Sequence, residues 1–68
     1  MRTIEIERRC EMWWVHALDS KPLFTPEVIK KISDNNWQYY QDGYGGFYGF
    51  ISSVDGNIDE SEVLSIFD

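Results

Sequence analysis

The sequence predicts a small α+β domain, arranged roughly as β-α-β-β-α, with an antiparallel sheet covered on one face. Runs of β-branched and aromatic residues occur near the N-terminus and again after residue 36. A capped helical pattern separates these runs, and a second one ends the chain. The 68 residues are enough for one domain, 1–68, with a thin core.

The N-terminal segment, RTIEIERRCEMWWVHAL (2–18), alternates apolar and polar residues slightly better than it fits a helical stripe. It contains no Gly, Pro or Asn, the residues that tight turns favour, so a hairpin inside it is not expected. We predict one long, bent strand, or two nearly continuous ones, with a helix as the alternative. Because Trp13 and Trp14 are adjacent, exposure of one of them would favour a homodimer.

The sequence of residues 19–53 predicts a helix followed by a β-hairpin. Residues 19–24 form a connection, after which TPEVIKKISD (25–34) has Thr25 as an N-cap and Pro26 at the first helical position. Residues 37–53 then contain two aromatic-rich runs flanking DGYGG, the pattern of a β-hairpin and its loop. The buried stripe of the helix is expected to be Val28, Ile29 and Ile32.

The segment DGNIDESEVLSIF (55–67) resembles the second half of an EF-hand calcium loop, in which Glu62 takes the last ligand position. The first ligand position would be Ile51, which has no side-chain oxygen. The same residues predict a turn at 55–57 and a helix that Asp59 and Glu62 cap. We predict the capped helix and keep a degenerate EF-hand-like calcium module as a lesser alternative. The residues expected to be buried on this helix are Val63, Leu64 and Phe67.

Catalytic chemistry is not expected from this sequence. Cys10 and His16 are the only residues of their kinds, and neither has an activating partner in the pattern. They are too few for a usual zinc site, and the glycine-rich stretch precedes no helix that could bind phosphate. We therefore expect no enzyme activity, no metal site and no cofactor, and a partly buried His16.

Charge is divided unevenly along the chain. All six bases lie in residues 1–31 with five acids, whereas residues 32–68 contain seven acids and no base, for a net charge of −6. Such a field repels nucleic acid and attracts basic proteins, so direct nucleic-acid binding is not expected. No apolar run reaches the roughly 18 residues of a membrane span. One cysteine and a charged N-terminus favour the cytoplasm, which is the host cytoplasm if the chain is phage-encoded.

Aromatic residues concentrate in the predicted hairpin, where they make up seven of the fourteen residues from 37 to 50. Tyrosine interleaved with Gly, Ser, Asn and Asp is typical of protein-binding surfaces, because its large ring loses little entropy on binding. We therefore expect a protein partner bound by the aromatic and acidic residues of this half. The predicted partner-binding residues are Trp37, Tyr40, Asp42, Tyr44, Tyr48, Asp55, Asp59, Glu60 and Glu62.

In size, charge asymmetry and lack of catalytic groups, the chain resembles the small acidic inhibitors that bacteriophages encode against host defence, including anti-CRISPR proteins and DNA mimics. The resemblance implies a non-catalytic inhibitor whose carboxylates stand in for phosphates. It would occlude a basic, nucleic-acid-binding surface of a host defence complex, with Tyr and Trp adding affinity. The alternative is an adaptor, antitoxin or assembly subunit that binds through its aromatic residues, with the acids serving only solubility.

Overall fold

The computed structural model describes residues 3–67, which form four strands and two helices in the order β-β-α-β-β-α. Residue 2, where the predicted N-terminal strand begins, lies outside the described residues, as do residues 1 and 68. The elements are β1 (Ile4–Arg9), β2 (Met12–Ala17), α1 (Pro26–Asp34), β3 (Gln38–Gln41), β4 (Tyr48–Ser52) and α2 (Glu60–Ile66). The strands form one antiparallel sheet in the order β1-β2-β4-β3, which confirms the α+β class.

The N-terminal segment is a tight hairpin, so the expectation that no such turn interrupts residues 2–18 is wrong. β1 and β2 pair without interruption, leaving Cys10 and Glu11 as a two-residue turn. Both have positive φ, 54° and 61°, as in the type I′ turns that normally select Asn-Gly. A left-handed backbone costs a non-glycine residue about 1–2 kcal/mol. The six paired residues on each side of the turn offset this cost.

The other elements follow their local signals. Thr25 caps α1, its Oγ1 accepting a hydrogen bond from the Val28 N–H at 3.3 Å, and Asn35 ends the helix. The aromatic hairpin forms as predicted, with β3 and β4 joined by residues 42–47. None of the helices in residues 3–67 has the length and apolarity needed to cross a bilayer.

Both helices pack on one face of the sheet. Val15 on β2 and Ile51 on β4 are the central strand residues there, at 1% and 0% exposure. On α2 the buried positions are Val63, Ile66 and Phe67, whereas Leu64 is exposed, so its predicted burial is wrong. The buried positions are three and four residues apart, so residue 64 lies to one side of that face. The remaining core residues are Ala17, Leu23, Phe24, Val28, Ile32 and Ile58.

The segment between β4 and α2 is fastened to the first hairpin. Trp13 donates its indole N–H to the Ile58 carbonyl at 2.6 Å. The Arg8 guanidinium donates to the Gly56 and Ile58 carbonyls and lies 5.5 Å from the Trp13 ring centroid. These contacts place the start of α2 at the end of the sheet opposite the β3–β4 loop.

Candidate functional site

The sheet face opposite the helices carries a group of aromatic side chains. Because strand side chains alternate between faces, the neighbours of the core residues Val15 and Ile51 point to this side. An antiparallel sheet usually presents polar residues on a face that no layer covers. Here five rings lie there instead, and we call them the aromatic face: Trp14, His16, Tyr40, Tyr48 and Phe50.

The rings form a continuous row across β2, β4 and β3. Trp14 lies 5.7 Å from Tyr48 and 5.1 Å from Phe50, centroid to centroid. Tyr40 stacks on Phe50 at 5.4 Å, and His16 meets the edge of Tyr48 at 5.8 Å. Packing of each ring on the next restricts its rotamers. The row is therefore a partly exposed aromatic surface whose rings hold one another in place.

β1 supplies a charged rim along one side of the aromatic face. The Arg9 guanidinium lies 4.7 Å from the Trp14 ring centroid and donates to the Tyr48 hydroxyl at 3.0 Å. It also forms an ion pair with Glu7 at 3.3 Å. Glu5 is exposed on the same side of β1. An apolar centre with a polar rim is the usual anatomy of a protein–protein interface.

The indole N–H of Trp14 is buried and has no hydrogen-bond acceptor among residues 3–67. Leaving a buried donor unsatisfied costs about 1–3 kcal/mol. Because the N–H itself has essentially no exposed surface, an outside acceptor cannot reach it without a rearrangement of the neighbouring rings. The part of Trp14 that remains accessible is its half-buried ring.

The predicted partner-binding residues fall into separate parts of the molecule. Tyr40 and Tyr48 lie on the aromatic face. Asp42 and Tyr44 belong to the loop between β3 and β4, while Trp37 is half-buried beside α1. The four acids lie after β4, at the other end of the sheet, and we call them the acidic group: Asp55, Asp59, Glu60 and Glu62.

Sequence reasoning missed Trp14, Phe50 and His16 as members of the site. One signal was available, because adjacent residues of a strand, such as Trp13 and Trp14, must point to opposite faces. His16 was expected to be partly buried and is exposed instead. It lies in the register position opposite Tyr48, on the face that neither helix covers.

The acidic group begins in a turn and continues into a capped helix, as predicted. Gly56 has φ 71°, and its N–H donates to the Ser53 carbonyl at 3.2 Å. At the start of α2, Glu62 Oε1 accepts from the Asp59 N–H at 3.5 Å, within a capping box. A strand, not a helix, leads into this turn, which is unlike an EF-hand. Within residues 3–67, no three His, Cys, Asp or Glu side chains cluster as metal ligands.

The Asp55 carboxylate is held in its ionised form. The Asn57 backbone N–H, at 3.0 Å, and the Ser53 hydroxyl, at 2.8 Å, both donate to Oδ1 and lower the Asp55 pKa below its ordinary value of 3.8. A depressed pKa adds stability that is fully present above the unfolded-state value and is lost as pH falls through the folded-state value. Asp55 therefore favours the folded turn at neutral pH and ceases to do so in strong acid.

We expect a carboxyl-carbon NMR titration to place the Asp55 pKa below 3.8 in the folded chain. Ser53→Ala should move that midpoint upward, because it removes one of the donors to the carboxylate. Ser61→Ala, on the exposed side of α2, is the matched control and should leave it unchanged. A midpoint at or above 3.8 in the unmodified chain would contradict the assignment.

The two residues with nucleophilic or basic side chains do not form a site together. Cys10 lies exposed in the β1–β2 turn, and His16 lies near the opposite end of β2. His16 contacts the Tyr48 ring, and no carboxylate is hydrogen-bonded to it within residues 3–67. This arrangement provides no oriented base next to a nucleophile.

No protein-family model matches the chain, and comparison with curated proteins and with solved structures gives no significant match.

Proposed function

We propose that the chain is a non-catalytic protein-binding domain whose aromatic face is the centre of contact. The observation that carries this proposal is the continuous row of rings on the sheet face that neither helix covers. Tyr40 is 55% exposed, and Trp14, Tyr48 and Phe50 are half-buried, so part of the row remains in contact with water. Covering that surface favours association, because it removes aromatic carbon from water. Trp and Tyr are also the residues that most often dominate the binding free energy of protein interfaces.

The charge around the aromatic face favours a protein over a nucleic acid. A stacking platform for single strands needs cations along the backbone track. On the side of β1 that faces away from the helices, Arg9 is the one cation, and it is already paired with Glu7. With a net charge of −6 on the whole chain, phosphates would be repelled.

The mode of action that fits such a domain is occlusion, in which it covers a surface that its partner needs for its own activity. Within residues 3–67, Cys10 and His16 are not oriented for catalysis, so we expect the chain to act through the surface that it covers on its partner. Inhibition of a host defence complex, as the resemblance to phage-encoded inhibitors implies, is one form of this function. An adaptor or assembly role is the other. The exposed thiol of Cys10 suits the reducing cytoplasm in which we place the protein.

The acidic group supports a second candidate function, which is charge mimicry of nucleic acid. Its four carboxylates form no ion pair with Lys or Arg in the described part of the chain, so their charge is available to a basic partner. Residues 32–68 also contain no base that would neutralise it. In this candidate the acidic group enters a phosphate-binding surface, and the rings contribute at its border.

Salt separates the two candidates. We expect the tagged chain to retain a partner from a bacterial lysate at both about 0.1 M and about 1 M salt, because an aromatic contact is little affected by screening. The matched variant replaces the acidic group with amides (Asp55→Asn, Asp59→Asn, Glu60→Gln, Glu62→Gln) and should retain the same partner. Loss of the partner both at high salt and in the amide variant would favour charge mimicry. Retention of no protein at either salt would contradict both candidates.

A further inference from the structure

β3 is an edge strand with free backbone groups. β3 is the last strand in the sheet order. The Asp42 N–H donates to the Tyr48 carbonyl at 2.9 Å, so these two residues form a hydrogen-bonded pair of the β3–β4 ladder. In an antiparallel pair, alternate residues turn their N–H and C=O groups away from the partner strand. With Tyr40 opposite Phe50 in a hydrogen-bonded pair, the outward residues are Tyr39 and Gln41.

The two edges of the sheet differ in how they are protected. β1 carries charges at Glu5, Glu7 and Arg9, which is a common means of preventing strand addition. β3 reads Gln-Tyr-Tyr-Gln, is exposed along its whole length, and contains no charge and no proline. Because β3 has only four residues, an added strand would be short.

A groove runs beside the free edge of β3, on the helix-covered side of the sheet. It lies between α1 and β3, has a volume of about 590 Å³, and its wall includes Ile29, Ser33, Trp37 and Tyr39. A second groove of about 360 Å³ also touches Trp37 and contains the carboxylate residue Asp55. The two grooves meet at Trp37. A recess with both apolar (Ile29, Trp37) and polar (Asn36, Gln38) walls thus lies next to a negative charge, near the end of the sheet where β3 begins.

We propose that this edge binds a short extended peptide segment of a partner protein, which adds to β3 as a fifth strand. The peptide backbone pairs with the outward N–H and C=O groups of Tyr39 and Gln41. Alternate side chains of an added strand point to the helix side, so one apolar side chain enters the groove beside Trp37. A Lys or Arg near the start of β3 complements the carboxylate of Asp55, which lines the second groove. This site is distinct from the aromatic face, so it can fail without affecting the proposed function.

The test uses a library of blocked, linear eight-residue peptides with every position varied, screened against the full chain. We expect enriched peptides to pair an apolar residue with a nearby Lys or Arg. On binding one such synthetic peptide, the amide hydrogens of Tyr39 and Gln41 should become protected from exchange, because they face solvent in the free chain. The Tyr40 amide is the internal control, since it already points toward β4.

Three variants and one control give the proposal independent checks. Gln41→Pro removes an outward N–H without removing a bond to β4, and should weaken peptide binding about tenfold. Ser33→Tyr fills the groove from the exposed surface of α1 and should also weaken binding, whereas Ser61→Tyr, the same change on α2, should not. Asp55→Asn should reduce affinity only for peptides that contain the basic residue.

Three results would overturn the proposal. One is a screen that enriches no peptide. Another is a bound peptide that shifts the resonances of Tyr48 and Phe50 while leaving the Tyr39 and Gln41 amides unprotected. The third is protection of those amides at high concentration of the chain alone, together with a dimer mass, because a second copy would then be the occupant of the edge.

Discussion

Gly49→Ala is expected to disrupt the sheet, either by largely unfolding the chain or by separating β3 from β4. Gly49 lies buried in β4, between Val15 on β2 and Gln41 on β3. A Cβ atom there would overlap the Tyr40 carbonyl oxygen and approach Phe24 Cε2 to 2.8 Å and Gln41 Cα to 3.1 Å. Two of these three atoms are backbone, so no rotamer change can relieve the clash.

The size of the effect follows from the small total stability of such a chain. Overpacking a core costs about 1–3 kcal/mol, and more when the backbone must move. A domain of this length has only about 3–10 kcal/mol to lose. We therefore expect urea unfolding, followed by circular dichroism, to show a variant that is largely unfolded or has lost the pairing of β3 with β4.

The matched control for that substitution is Gly43→Ala in the β3–β4 loop. An added Cβ at residue 43 meets no atom within 4 Å. Its stability should lie within about 0.5 kcal/mol of the unmodified chain. Equal unfolding midpoints for Gly49→Ala and the unmodified chain would contradict the tight packing of β3 and β4 around Gly49.

The second large effect is expected in binding rather than in stability. Trp14 and Phe50 lie directly opposite each other across β2 and β4 and form the middle of the aromatic face. Both side chains are half-buried and lie outside the core between the sheet and the helices. Replacing both with threonine, which has a high strand propensity, removes the two central rings and should leave the sheet folded. We expect affinity for the partner recovered from lysate to fall at least about 100-fold, measured by calorimetry.

Tyr44→Thr is the control for loss of aromatic surface alone. Tyr44 is 86% exposed in the β3–β4 loop, away from the row of rings. Its removal should leave the affinity unchanged within about twofold. If Tyr44→Thr weakens binding and the Trp14 and Phe50 double variant does not, the contact surface is the loop and not the aromatic face.

How far the sequence predicts this fold depends on whether the signals are local. α1 could be predicted because Thr25 and Pro26 determine its start within a few residues of chain. The β1–β2 turn could not, because Cys10 and Glu11 carry no turn preference. Their left-handed backbone is stabilised by pairing of the flanking strands, which no local pattern reveals.

The candidate site likewise combines residues that local sequence predicts with residues that only the folded sheet brings together. Tyr40 and Tyr48 were predictable from an aromatic hairpin alone. The inclusion of Trp14 was not, because it depends on which face of the sheet the helices cover. Asp55 and Tyr48 are only seven residues apart in the sequence, which gives no sign that they belong to different surfaces. Tyr48 lies within β4, whereas Asp55 lies beyond the end of that strand.

Photo-cross-linking tests the aromatic face as the partner contact most directly, because it captures a partner whose identity is still unknown. A photoreactive phenylalanine analogue would replace Tyr40 on the aromatic face or, in separate samples, Tyr44 in the loop or Glu60 in the acidic group. Each purified chain would be irradiated in bacterial lysate, and the cross-linked proteins identified by mass spectrometry. We expect one protein to be captured from position 40 and not from position 44 or 60. Capture from position 60 with none from position 40 would contradict the account and assign the contact to the acidic group.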